Sequence, residues 1–176
     1  MANTFDLITT TSLTTAATNI SFTGIPATYT DLRVTLTARS SLTSPYIQSR
    51  FKIQFNSDTS GNYKHRGLTG NGNSTGWSTD TGTGETAIIN QYIPTNGAGA
   101  NIFNNAIIYI PNYAGSTQKT VNIINAQENN IQTAYIQTII GLWTGTAAIT
   151  SIQLTEENGA NLTAYSTASL YGIKSS

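Results

Sequence analysis

The stretch Asp31-Leu-Arg-Val-Thr-Leu-Thr-Ala-Arg39 decides the fold. Leu32, Val34, Leu36 and Ala38 fall on one side of an extended chain, and Asp31, Arg33, Thr35, Thr37 and Arg39 on the other. Successive side chains of a pleated strand point to opposite faces, so an apolar period of two predicts a half-buried antiparallel strand. Arg50-Phe-Lys-Ile-Gln-Phe55 repeats the pattern, with Phe51, Ile53 and Phe55 predicted inward. Working outward, further strand candidates are Asn19–Gly24, Thr86–Ile93, Asn101–Ile110, Lys119–Ala126, Ile131–Trp143, Ala148–Thr155 and Leu162–Ile173. Turn signals separate many of them, among them Gly24-Ile-Pro26, Asn56-Ser-Asp-Thr-Ser-Gly-Asn62 and Glu157-Asn-Gly159. No stretch carries a convincing helical period. The expected fold is therefore all-β, a jelly-roll-like antiparallel sandwich of about eight to ten strands with little or no helix.

The composition fits that reading. The chain has 176 residues, enough for a single domain spanning 1–176 with a core of its own. It carries 31 Thr, 18 Asn, 16 Ser and 21 Ile, and Thr and Ile favour a pleated, half-buried surface. Only 9% of residues are charged and the formal net charge is zero, which argues against a nucleic-acid partner that needs many cations to meet phosphates. No Cys is present and there is one His, so thiolate sites, disulfides and two-histidine metal sites are excluded. No apolar run approaches the ~20 residues of a membrane span, and Met1-Ala-Asn-Thr-Phe-Asp6 lacks the layout of a signal peptide.

Motifs with catalytic associations lack the contexts their chemistry needs. Gly72-Asn-Ser-Thr-Gly76 spells G-x-S-x-G, but it lies among Gly, Asn, Ser and Thr without the flanking strand and helix of a nucleophile elbow. His65, between Lys64 and Arg66, is the single histidine that could serve Ser74 as a base. Gly82-Thr-Gly-Glu-Thr-Ala87 opens no helix, so it is not a dinucleotide site. Asn56–Asn62 has part of the oxygen spacing of a calcium loop, yet Gly67 stands where the bidentate Glu belongs. The expectation is no enzyme activity, no catalytic residue, no cofactor and no metal.

Two segments stand outside the strand pattern. Residues 1–18 read as an N-terminal arm or an edge strand, and Phe5, Leu7 and Ile8 are its apolar residues in search of a surface. Residues 69–85 read as a long loop. Trp77 within it reads either as an anchor for a partner or a sugar ring, or as a plug over one end of the sandwich. Phe5, Leu7, Ile8 and Trp77 are the candidate partner contacts. Charge is also uneven: residues 31–66 sum to +4 and residues 80–157 to −4. That split suits either complementary faces of neighbouring subunits or two halves that pair within one sandwich.

Several phrases together resemble a known group. They are Thr28-Tyr-Thr-Asp-Leu32 with Ala38-Arg-Ser40; Phe55-Asn56 with Asn62-Tyr63 and Gly70-Asn-Gly72; and Ile110-Pro-Asn-Tyr-Ala-Gly-Ser-Thr117. The ending joins Ala148-Ile-Thr-Ser-Ile-Gln-Leu154 and Gly159-Ala-Asn161 with Tyr165-Ser-Thr-Ala-Ser-Leu-Tyr-Gly-Ile173. The chain is similar to small virion structural proteins of tailed bacteriophages, of the cyanophage and aquatic-phage type, over nearly all of its length past residue 20. The resemblance implies a β-sandwich on a particle surface, assembled in the host bacterial cytoplasm: a capsid decoration (cement) protein, a head fibre or a tail tip. It implies partners among the major capsid protein or other virion proteins, together with copies of itself as a homotrimer. A host-surface glycan is the partner under the tip alternative. Neither nucleic acid nor membrane is expected, and the resemblance assigns no functional residue.

Overall fold

The computed structural model describes residues 4–72, 77–130 and 134–174, an all-β structure with no helix among them. In chain order the strands are β1 (Phe5–Ser12), β2 (Asn19–Thr23), β3 (Asp31–Thr37), β4 (Gln48–Phe55), β5 (Tyr63–Asn71) and β6 (Trp77–Glu85). They continue with β7 (Ile88–Pro94), β8 (Asn105–Ile110), β9 (Lys119–Glu128), β10 (Ala134–Trp143), β11 (Ser151–Glu156) and β12 (Thr167–Ile173). One sheet has eight strands in the order β1-β12-β3-β8-β9-β10-β5-β6, and the other has four, β2-β11-β4-β7. Every pairing between named strands is antiparallel.

The connectivity is that of an enlarged jelly roll. With β1, β12, β8 and β9 set aside, two four-stranded sheets remain, β2-β11-β4-β7 and β3-β10-β5-β6, in the alternating order of that fold. The β8–β9 hairpin is inserted between β3 and β10, and β12 and β1 extend the same sheet beyond β3. These four additions account for twelve strands where the sequence suggests eight to ten.

The alternation of β3 and β4 holds as read. Leu32, Val34 and Leu36 are fully buried, as are Phe51, Ile53 and Phe55 on the facing sheet. Val34 lies in register with Leu170 on one side and Ile108 on the other. Ile139, Ile152, Leu154 and Trp143 complete the same core. At one end Phe55, Tyr63 and Trp143 pack ring against ring, with centroids 5.7–6.5 Å apart. The 56–62 segment is a turn closed by Asp58, which accepts hydrogen bonds from Asn62 Nδ2 at 2.9 Å and Trp143 Nε1 at 2.8 Å. Those two donors hold the Asp58 carboxyl at about 2. The calcium-loop likeness of this stretch thus resolves into a side-chain-capped turn.

Toward the opposite end the interior becomes polar. A row of amides crosses the eight-stranded sheet from the inside: Asn104 Nδ2 donates to Asn125 Oδ1 at 2.8 Å, and Asn125 Nδ2 to Gln137 Oε1 at 2.9 Å. Gln137 Nε2 then donates to Thr69 Oγ1 at 3.1 Å. The row has a structural purpose. β7 is an edge strand of the smaller sheet, and its Tyr92 N–H donates to Gln137 Oε1 at 2.7 Å while its carbonyl accepts from Asn125 Nδ2 at 2.8 Å. Buried backbone groups at a sheet edge need such partners, because an unpaired one loses its hydration without return.

One expectation needs correction, and one pair of alternatives is decided. Residues 69–85 are not a long loop: they contain the end of β5 and all of β6, which pair from Tyr63↔Glu85 to Gly70↔Trp77. The apolar period fails there because the residues on the inner side are His65, Gly67 and Thr69 on β5, facing Gly82, Asp80 and Ser78 on β6. The G-x-S-x-G residues 73–76 lie outside the described residues, as do Ile131 and Thr133 of the β10 candidate. Residues 5–12, second, are the edge strand of the two alternatives kept for the N-terminal segment, paired with β12. Within β1 the register shifts between Leu7 and Thr9, and Ile8 is half-buried and packed on the core.

Candidate functional site

The two outer faces of the sandwich differ in chemistry. β2, β11 and β4 turn polar side chains outward, among them Ser21, Gln153, Arg50, Lys52 and Gln54. The eight-stranded sheet turns out polar residues too, among them Asn122, Lys64 and Arg66, but it also exposes large apolar ones. Of eight exposed large apolar side chains among the described residues, six lie on its outer face: Phe5, Leu7, Leu68, Ile124, Ile136 and Ile140. The other two, Tyr46 and Tyr165, lie on loops.

The strand register gathers these residues. One row crosses the centre of the face through Thr35, Ile107, Ile124, Thr138 and Leu68. A neighbouring row runs Arg33, Tyr109, Asn122, Ile140, Arg66. Ile136 lies opposite Ala126, between the first row and the sheet end. Ile124, Ile136 and Ile140 are each more than half exposed. A groove of about 460 Å³ lies along β10, β5 and β6, where Ile140 and Leu142 meet Lys64, Arg66 and Thr81. Isolated exposed apolar residues are ordinary, whereas a contiguous patch with a polar border is the mark of an interaction surface.

The sequence-predicted contact residues are scattered by the fold. Phe5 and Leu7 reach the edge of this face, where the Phe5 ring lies 5.9 Å from the Arg33 guanidinium carbon. Ile8 turns toward the core instead and leaves the set. Trp77 opens β6 opposite Gly70, and its side chain lies outside the described residues. Sequence reasoning missed Leu68, Ile124, Ile136 and Ile140. A signal existed: in Val121-Asn-Ile-Ile-Asn125 the isoleucine at 124 occupies the polar half of the alternation.

Part of the charge asymmetry is paired within the chain, at its surface. Arg50 lies 3.6 Å from Asp80 and 3.5 Å from Glu157, joining the basic stretch to the acidic one. Lys64 and Arg66 form no ion pair among the described residues and stand outward on β5. His65, between them, points inward and is buried, its Nδ1 without a hydrogen-bond partner among the described residues. Gly82 makes room for it, since a Cβ there would overlap the imidazole ring. Ser74, the hydroxyl named for it in the sequence, lies outside the described residues. No group of three or more His, Asp or Glu residues among the described ones could hold a metal.

Burial pushes the His65 imidazole below its ordinary value, against the pull of Asp80 and Glu85 and with the help of Arg50. The unfolded chain takes up this proton below about pH 6.5, and the folded one resists it. Stability should thus fall as the pH drops from about 6.5 toward the lower folded value. Urea midpoints at pH 7.5 and 5.5 should differ in the wild type and converge in His65→Gln; an equal fall in both would remove His65 from the explanation.

No family model and no curated protein matches this chain.

Proposed function

We propose that the chain is a non-enzymatic structural subunit of a phage virion, a capsid decoration protein that works as a homotrimer on the head. The observation that carries the proposal is the apolar outer face of the eight-stranded sheet, and its occupant is a neighbouring copy of the chain. Eight strands at ~4.8 Å spacing span about 34 Å, so the whole outer face, its polar residues included, covers about 800 Å². That equals one partner's share, about 800 Å², of a standard protein interface. The resemblance of the sequence to small virion proteins supports the same reading. So does the chemistry of the chain: with no Cys and a single Met, it offers little to oxidation outside a cell. The exposed Lys64 and Arg66 at the border of the face supply charge for registering acidic groups of the neighbour.

Light scattering should give a trimer for the wild type and a monomer for Ile124→Asn combined with Ile136→Asn. The melting temperature of the double variant should stay close to that of the isolated wild-type subunit, because both side chains are already exposed. A wild type that is monomeric in solution and remains uncross-linkable on purified particles would overturn the proposal. A second reading, a glycan-binding tip of a tail or head fibre, draws on one feature: a pocket at the end of the sandwich that contains an arginine without a counter-charge.

A further inference from the structure

Arg39 follows β3 into the segment that leaves the sheet, and it is 7% exposed. Its Nε donates to Asn96 Oδ1 at 2.9 Å, and its Nη1 to the Gly99 carbonyl at 2.8 Å and the Ile102 carbonyl at 3.4 Å. Nη2 makes no hydrogen bond among the described residues, and no carboxylate there lies within ion-pair distance of the guanidinium. Burial alone accounts for the downward push on its ionisation, with no acidic neighbour to oppose it. A buried guanidinium held by neutral oxygens is an unbalanced charge, and proteins seldom keep one without a counter-ion.

This arginine lines an open pocket of about 450 Å³, within the range of small-ligand sites at ~300–1,000 Å³. Two further features of the pocket point to a ligand. Thr163 Oγ1 is buried there without a hydrogen-bond partner among the described residues. Tyr165, also in the lining, is 79% exposed on a backbone of φ 70°, a conformation that costs a non-glycine residue energy. Ser41 and Asn96 add hydroxyl and amide groups. The pocket joins parts of the chain from the 39–41, 96–103 and 163–165 regions.

We infer that this pocket binds a uronic acid unit of an acidic polysaccharide, the carboxylate paired with Arg39 and the sugar ring laid on Tyr165. Nη2, the nitrogen of Arg39 without an acceptor among the described residues, offers a carboxylate oxygen a charge-assisted hydrogen bond. An exposed aromatic ring offers an apolar platform for a pyranose face, while the Ser41 hydroxyl and the Asn96 amide suit ring hydroxyls. The site lies away from the apolar face, so the inference goes beyond the assembly reading and stands whether the chain sits on a head or a tail.

The test is calorimetric titration of the full chain with an oligogalacturonate, a neutral oligosaccharide of equal length and inorganic phosphate. Saturable binding of the oligogalacturonate alone is expected. Tyr165→Asn, which suits a positive φ, should weaken it at least tenfold with an unchanged melting temperature. Arg39→Lys, which keeps the charge and loses the Nη2 donor, should also weaken it while the neutral sugar stays unbound. Absence of saturable oligogalacturonate binding, equal binding of the neutral sugar, equal competition by phosphate, or full affinity in Tyr165→Asn would each overturn the inference. Light scattering on the same samples reports the oligomeric state separately, so failure here is distinguishable from failure of the assembly proposal.

Discussion

Val34→Asp is expected to abolish the folded state, whereas Thr35→Asp, one residue further on, should cost less than about 1 kcal/mol. Val34 is fully buried at the middle of β3, in register with Leu170 and Ile108, under the four-stranded sheet. Its partners in register, Leu170 and Ile108, are aliphatic and offer no proton donor to a carboxylate. A carboxylate there must either stay charged without a partner or take up a proton, and both exceed the few kcal/mol by which a domain of this size is stable. Thr35 points the other way, onto the outer face beside Ile107 and within the small pocket that holds Arg33. An aspartate there keeps its water and gains a cation nearby. Far-UV circular dichroism and urea unfolding of the two variants give the comparison directly. Equal losses would show that Val34 and Thr35 do not face opposite sides as assigned.

Gln137→Met is expected to cost about 3 kcal/mol although it nearly conserves side-chain volume. Gln137 is fully buried, accepts from the Tyr92 N–H and from Asn125 Nδ2, and donates to Thr69 Oγ1. Methionine fills the space and leaves those polar groups to lose a partner, at about 1–3 kcal/mol for each one left unsatisfied. The loss should be local as well as global, because Gln137, together with Asn125, ties the edge strand β7 to the larger sheet at Tyr92. Hydrogen exchange at the Tyr92 amide should accelerate more than exchange at Ile108, which lies in the apolar part of the core. Gln153→Met, on the outer face of the smaller sheet, is the control and should be close to neutral. A change below about 1 kcal/mol in Gln137→Met would show that the amide row contributes little beyond filling space.

These two predictions differ in where their warrant comes from. The first was legible in the chain, since Leu32, Val34 and Leu36 alternate with Arg33 and Thr35 in the order of their burial. The second was not. Asn104, Asn125, Gln137 and Thr69 look in sequence like any other polar residues of an Asn- and Thr-rich protein. Their burial follows from the mismatch between an eight-stranded and a four-stranded sheet, which brings the edge of β7 to the inner side of the larger one.

By itself, then, the sequence determined the class of fold and the facing of its strongest strands. A pleated strand has a fixed side-chain period of two, so Phe51, Ile53 and Phe55 declare their side without knowledge of any neighbour. It did not reveal β5 and β6, whose inward positions carry His65, Gly67, Asp80 and Gly82 in place of apolar side chains. Nor did it reveal the exposed isoleucines as one surface, because Ile124 and Ile136 become neighbours only through the β9–β10 register. The same holds for the candidate pocket, where Arg39 and Tyr165 meet across most of the chain. Local periodicity reports which way a side chain faces; which residues share a face or a pocket depends on strand order, and that is decided by long-range pairing, to which a period of two is blind.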